Sequence, residues 1–233
     1  MTTQNHKQIF IEDALSSSAL RFGSFTLKSG RISPYFFNLG LFNTGAHLSH
    51  LATAYAETIF ANREKLGSFD VLFGPAYKGI SLAALTAAKL AELAAARSLP
   101  DADKWNKIEY AYNRKEKKDH GEGGVIVGSA LAGKKVLIID DVITAGTAIK
   151  EAFTIIENEK ATVAGVLLAL DRQETTVDNT KQSAVQIISK TFNVPVISIV
   201  DILDIIKFLD GKLSAEEIEK VKEYRQKYAP EDL

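Results

Sequence analysis

Apolar positions along this chain follow two rhythms, and the rhythms alternate. Gln8 to Leu20 places Ile9, Ile11, Ala14, Leu15 and Ala19 at helical spacing. Phe22–Leu27 and Ser33–Asn38 read as extended, with a break at Ser29-Gly30, which predicts a small hairpin with Lys28 and Arg31 at its tip. A helix is expected over His47–Phe60, then a short strand at Val71–Phe73, an alanine-rich helix over Ile80–Ala96 and a strand at Ile108–Asn113. Lys135–Asp140 and Thr162–Leu170 are aliphatic strands, separated by a helix over Ala148–Glu157. Ser183 is placed to cap a helix running to about Thr191, and Val194–Ile199 is a last strand, with Pro195 hinting at a sheet edge. Closing helices follow over Val200–Leu209 and Ser214–Tyr228, the second opened by a Ser214–Glu217 capping box. Strands alternating with helices predict an α/β fold with a mostly parallel central sheet flanked by helices. One domain is expected over 1–233, with a small N-terminal hood over about 1–45 and a core over about 46–233.

The stretch from Val136 to Ala148 makes the strongest chemical demand. Val136–Ile139 is an unbroken aliphatic run suited to a strand covered on both faces, and Asp140 and Asp141 follow at its carboxyl end. In open α/β sheets ligands bind at that edge. Thr144-Ala145-Gly146-Thr147-Ala148 then supplies small residues ahead of a helix, so that backbone N–H groups can approach an anion closely. A buried strand and an ordinary turn would not explain two adjacent carboxylates kept beside a core strand against their desolvation cost. Nucleotide hydrolases also end a strand in an acid, but they need a G-x-x-x-x-G-K-[ST] loop. The nearest match, Gly128–Lys135, fails because Lys135 replaces the hydroxyl and a strand follows instead of a helix.

Composition narrows the field. At 233 residues, 46% hydrophobic, the chain can bury a sizeable core, and its formal charge of −1 argues against a general nucleic-acid or anionic-membrane binder. There are no cysteines, which excludes disulfides, thiolate catalysis and cysteine-based zinc sites. Met1–Gln8 is polar and unlike a signal peptide, and no apolar run is read as reaching membrane-spanning length, so a cytoplasmic protein is expected.

Other candidates lie in loops. Gly74–Gly79 joins a strand to a helix at the ligand edge, where Lys78 could neutralise an anion, although most lysines are simply solvated. Arg114–Asp119 carries four cations against two acids and runs into three glycines within 121–124. That composition suits a mobile lid over 114–124 that closes on polyanions and excludes water, with His120 able to donate to phosphate. Arg172 follows a strand at the ligand edge; its fork suits a carboxylate or paired carbonyls, with a salt bridge to Asp171 or Glu174 as the competing reading. Phe36 and Phe37 face opposite sides of a strand, so one can be core while the other meets a ligand. His47 and His50 share a helix face but lack further metal ligands and are read as plain surface.

The Val136–Ala148 stretch resembles the ribose-phosphate-binding signature of the type I phosphoribosyltransferases. Together with Phe25–Arg31, Ser33–Phe37, Gly74–Gly79, Asn113–Gly124 and Leu170–Glu174, it resembles the single-function branch of that family that acts on orotate. The resemblance implies a type I phosphoribosyltransferase fold and transfer of ribose 5-phosphate from phosphoribosyl pyrophosphate (PRPP) to a ring nitrogen of orotate. The products would be orotidine 5′-monophosphate and pyrophosphate, late in pyrimidine nucleotide synthesis. It implies Mg2+ held mainly through pyrophosphate and water, without direct protein ligands. It also implies a homodimer that shares the lid between subunits, with no nucleic-acid or membrane partner. By the same resemblance, PRPP would be held by Lys28, Tyr77, Lys78, Arg114, Lys115, Lys118, His120 and the run Asp140, Asp141, Val142, Ile143, Thr144, Ala145, Gly146, Thr147 and Ala148. Orotate would be held by Phe36, Phe37, Thr144 and Arg172. Lys118, His120, Asp140 and Asp141 would be the catalytic set. Two rivals are a transferase for a purine or another base, and a PRPP-sensing regulator of transcription; the near-neutral charge and lack of an added basic module speak against the second.

Overall fold

The computed structural model describes residues 3–27, 29–118, 124–178 and 181–231. Helix α1 (Thr3–Ser16) leads into strands β1 (Leu20–Thr26) and β2 (Ile32–Phe37), which pair as an antiparallel hairpin apart from the main sheet. Next come α2 (Gly45–Ala61), α3 (Arg63–Leu66), β3 (Val71–Gly74), α4 (Lys78–Ala96), α5 (Ala102–Asn106), β4 (Glu109–Lys118) and β5 (Gly124–Gly128). The chain ends with β6 (Lys135–Asp140), α6 (Thr147–Asn158), β7 (Thr162–Asp171), α7 (Ala184–Phe192), β8 (Val196–Asp201), α8 (Ile202–Leu209) and α9 (Ala215–Tyr228).

The main sheet runs in the order β5–β4–β3–β6–β7–β8, parallel throughout except for β5. β6 and β7 are central, and their side chains alternate between two cores. Leu137, Ile139, Leu167 and Ala169 face a core shared with α1, the hairpin, α2, α4, α8 and α9. Val136, Ile138, Val166 and Leu168 face the other core, shared with α6 and α7. All eight are fully buried, which explains why these strands read as unbroken aliphatic runs; each valine, leucine or isoleucine among them contributes about 1.5–3 kcal/mol of burial. β8 is an edge strand, as Pro195 suggested, because proline just ahead of it cannot donate to a further ladder. The capping box expected from sequence forms at Ser214–Glu217, the expected Ser183 cap proves to be a full box with Gln186, and Asp201–Asp204 makes another for α8.

Two expectations change. α4 does reach the length and apolarity of a membrane-spanning segment. However, its Leu82, Ala83, Leu90 and Ala94 are buried in the core, while Lys89 and Glu92 pair on its outer side, so its composition is that of a core helix. Residues 114–118, read as part of a loop, instead continue β4, and β5 pairs back along it to a Lys118–Gly124 partnership. Polar residues are tolerated there because an antiparallel ribbon satisfies its backbone without a core.

Candidate active site

β3, β6 and β7 are parallel and in register, so Gly74, Asp140 and Asp171 finish at one edge of the sheet. The acidic pair at the end of β6 is rigidly seated. The Tyr55 hydroxyl, from α2, donates to the Asp140 carbonyl at 2.9 Å, and the Ala169 and Leu170 amides of β7 donate to the Asp141 carbonyl at 2.9 and 3.2 Å. Asp140 Oδ1 accepts the Asp141 amide and Asp141 Oδ1 accepts the Val142 amide, both at 2.9 Å, so the two carboxylates cap their own turn. Burial, followed by repulsion from Asp141, raises the Asp140 pKa to about 7. Lys78 Nζ, 2.7 Å from Asp141 Oδ2, works against that rise.

Lys78 reaches Asp141 because the loop after β3 is very tight. A Cβ on Gly74 would lie 1.9 Å from the Gly79 carbonyl oxygen, and one on Gly79 would lie 2.8 Å from the Gly74 carbonyl carbon. Glycine at both ends is therefore a steric requirement. The buried Asn113 side chain accepts the Ala76 amide at 3.0 Å and pins the loop to β4. Tyr77 projects from it, 73% exposed.

After the acids, Val142–Gly146 leads to α6. Gly146 takes a left-handed φ of 77° at the helix N-cap and, as glycine, offers no side chain to cap the first amides of α6. Backbone N–H groups at such an end, with the helix dipole behind them, suit an anion.

Arg172 sits beyond β7 in a polar knot. Its Nε and Nη2 donate to Glu174 Oε1 at 2.9 and 2.7 Å, Nη2 also reaches Ser33 Oγ at 3.3 Å, and the guanidinium lies 4.6 Å over the Tyr35 ring. The competing salt bridge is therefore present, and its partner is Glu174. Asp171 instead accepts the Gln173 amide. Arg31 of the hairpin donates to the Thr175 and Thr176 carbonyls and lies over the Tyr228 ring, fixing the hood to the segment that follows Arg172. The aromatic pair divides between the two faces of the strand: Phe37 is half-buried and packs on Phe10 at the margin of the core, while Phe36 lies on the other face beside Phe25 and Arg21. Of the surface histidines, His50 pairs with Asp13 at 2.8 Å.

Arg114 and Lys115 lie on β4, past the last β3 partner of that strand, Tyr112. From there β4 pairs with β5 alone, so they stand on an arm beyond the sheet. Lys28, His120, residues 119–123 and the Lys118 side chain lie outside the described residues. Tyr55, Asn113, Tyr35 and Tyr224 support the site and were not singled out from sequence, whereas Glu174 was named there as a possible partner of Arg172. The signal for Glu174 was its place two residues from Arg172; Tyr55 and Asn113 carry none, because their partners lie 85 and 37 residues away.

The model for the phosphoribosyl transferase domain matches residues 44–198. The chain is 58% identical to an orotate phosphoribosyltransferase of Yarrowia lipolytica over 98% of its own length and 100% of the relative, and 50% identical to one of Acinetobacter baylyi over 98% and 99%. The crystal structure of an orotate phosphoribosyltransferase from Francisella tularensis superposes with a TM-score of 0.80 at 45% identity, covering 95% of this chain and 99% of that one. The likeness extends through the hood and the closing helices that lie outside 44–198, and the chain belongs to the phosphoribosyltransferase family, within its group of orotate phosphoribosyltransferases.

Proposed function

We infer that this chain transfers the 5-phosphoribosyl group of PRPP to a ring nitrogen of orotate, releasing pyrophosphate. One observation carries the reading: 58% identity to an orotate phosphoribosyltransferase along the whole length of both chains, hood and α9 included.

The residues suit the chemistry. The 5′-phosphate would lie against the amides of Thr144–Ala148, and the ribose hydroxyls would donate to Asp140 and Asp141. As the bond from C1 to the pyrophosphate oxygen breaks, its electron pair leaves with pyrophosphate and positive charge develops on the ribose; the orotate ring nitrogen gives up its N–H proton to water and supplies the pair for the new bond. The aspartates would offset the first charge, while Lys28, Tyr77, Lys78, Arg114, Lys115, Lys118 and His120 would offset the second. Phe36, Phe37, Thr144 and Arg172 would hold the base. Two adjacent carboxylates, one already paired with Lys78, fit a strongly hydrated divalent ion, and Asp140 and Asp141 would hold it through its water shell. When bound, Mg2+ would neutralise leaving-group charge.

The β4–β5 arm supports a lid. Six residues of β4 lie beyond Tyr112, a reach of roughly 20 Å at strand spacing, enough to serve a neighbouring subunit in a homodimer. The protein would act in the cytoplasm. The test is loss of orotate absorbance with PRPP and Mg2+, run beside a panel of purine and pyrimidine bases. Turnover of orotate alone is expected; turnover of another base instead would overturn the reading.

A further inference from the structure

Glu174 is the most heavily engaged carboxylate near the site. Its Oε1 accepts the Tyr35 hydroxyl at 2.8 Å along with Arg172 Nε and Nη2, and its Oε2 accepts the Tyr224 hydroxyl of α9 at 3.2 Å. Arg172 and Glu174 side chains are only 11% and 13% exposed. A largely buried ion pair of this kind is weak support for a fold, since apolar residues of similar size often serve stability as well. It does fix direction. The Nε–Nη2 edge of the guanidinium faces Glu174, Tyr35 lies under its plane, and Nη1 makes none of these bonds.

We propose that Glu174, itself held by Tyr35 and Tyr224, is a positioning residue that aims the Nη1 edge of Arg172 at the acidic base. The inference rests on the reading of Arg172 as an orotate-binding residue. It also gives the hood and α9 a role. Arg172 and Glu174 fall inside the stretch matched by the general phosphoribosyl transferase domain, whereas Ser33, Tyr35 and Tyr224 fall outside it. A guanidinium that lies within the domain stretch is thus oriented by flanking elements. Base selection then belongs to the joint between those elements and the sheet edge. A guanidinium free to swing between carboxylates would lose that selection, because an arginine fork gains its specificity from fixed geometry.

The test is steady-state kinetics of Glu174→Gln and Tyr224→Phe, varying each substrate at saturation of the other, together with the Glu174→Gln/Arg172→Ala double variant. Glu174→Gln should raise KM for orotate by about tenfold or more, while KM for PRPP and kcat stay within about twofold, the pattern of lost ground-state binding. Tyr224→Phe should shift the same constant in the same direction by about threefold, one hydrogen bond being worth roughly 0.5–1.5 kcal/mol. On an Arg172→Ala background Glu174→Gln should add almost nothing. Equal changes in both KM values, or additive losses in the double variant, would overturn the proposal. If Glu174→Gln fails to fold, an unchanged orotate KM in Tyr224→Phe overturns it instead. Wild-type protein that ignores orotate would sink the functional reading, whereas orotate turnover with unshifted variants sinks the positioning role alone.

Discussion

Lys78 Nζ lies 2.7 Å from Asp141 Oδ2, so the loop after β3 and the end of β6 are joined by an ion pair. A bound pyrophosphate would compete with Asp141 for that ammonium. The Lys78 side chain is 58% exposed, which limits the pair's contribution to stability to about 0–1 kcal/mol. Lys78→Met should therefore melt within a few degrees of wild type, yet raise KM for PRPP by about tenfold or more with little effect on KM for orotate. A loss confined to thermal stability would show that Lys78 serves only Asp141.

Asp140 predicts a pH effect of defined sign. Its folded pKa of about 7 lies above the ordinary 3.8, because burial and Asp141 disfavour its charge more than Lys78 favours it. The folded state then keeps a proton that the unfolded chain releases. Stability contributed at this position is present below about pH 4, falls as pH rises to about 7 and is flat above that. Asp140→Asn removes the penalty, so it should stabilise the substrate-free protein at pH 8, by roughly 4 kcal/mol at most, and hardly at all at pH 4. Melting curves at pH 4.5, 6 and 8 test this; a difference between the two proteins that does not widen with pH would contradict it. Turnover by the variant should nonetheless collapse, since the ribose loses a carboxylate.

The same acids illustrate what sequence can and cannot disclose. The Val136–Ile139 run announces a strand buried on both faces, and a strand's carboxyl end is where a parallel sheet gathers ligands, so Asp140 and Asp141 were legible as a site. Their support was not. Tyr55 looks like one more aromatic residue on a core helix, and only the packing of α2 on the sheet aims its hydroxyl at the Asp140 carbonyl. Arg172 and its pairing with Glu174 were legible by position, but the ties to Ser33 and Tyr35 depend on how the hairpin docks, which local periodicity does not encode. The lid shows the converse error. Charge and glycine content suggested a loop over 114–124, and β4 continues to Lys118 because pairing with β5 needs only backbone groups.

Gly74 offers a steric test. A methyl group there meets the Gly79 carbonyl oxygen at 1.9 Å, backbone against backbone, with no flexible side chain to yield. Gly74→Ala must open the turn, and that would carry Lys78 away from Asp141 and loosen the Asn113 bond to the Ala76 amide. The expected outcome is a destabilisation of about 1–3 kcal/mol with kcat/KM for PRPP reduced by about 10²-fold, since small displacements of positioning groups are costly. Wild-type kinetics in a well-folded Gly74→Ala protein would mean the loop can rearrange without consequence.

A lid shared between subunits would draw one working site from two chains. If the arm beyond Tyr112 places Lys118 over a neighbouring subunit's site, then Asp141 and Lys118 of one working site come from different chains. Lys118→Ala should fold normally and lose about 10²-fold in kcat, the loss expected when a cation that faces developing charge is removed. Asp141→Asn should be similarly poor. Mixed in equal amounts and allowed to exchange, the two variants form hybrid dimers in which one site keeps both groups and the other lacks both. Random pairing in a two-fold symmetric dimer makes about half the molecules hybrids, so recovery should approach about a quarter of wild-type activity. If each lid serves its own subunit, every site in a hybrid still lacks one group and activity stays at the level of the separate variants. Subunit exchange verified by mass spectrometry of the native dimers, with no recovery, would therefore rule out a shared lid while leaving the role of Lys118 within its own chain intact.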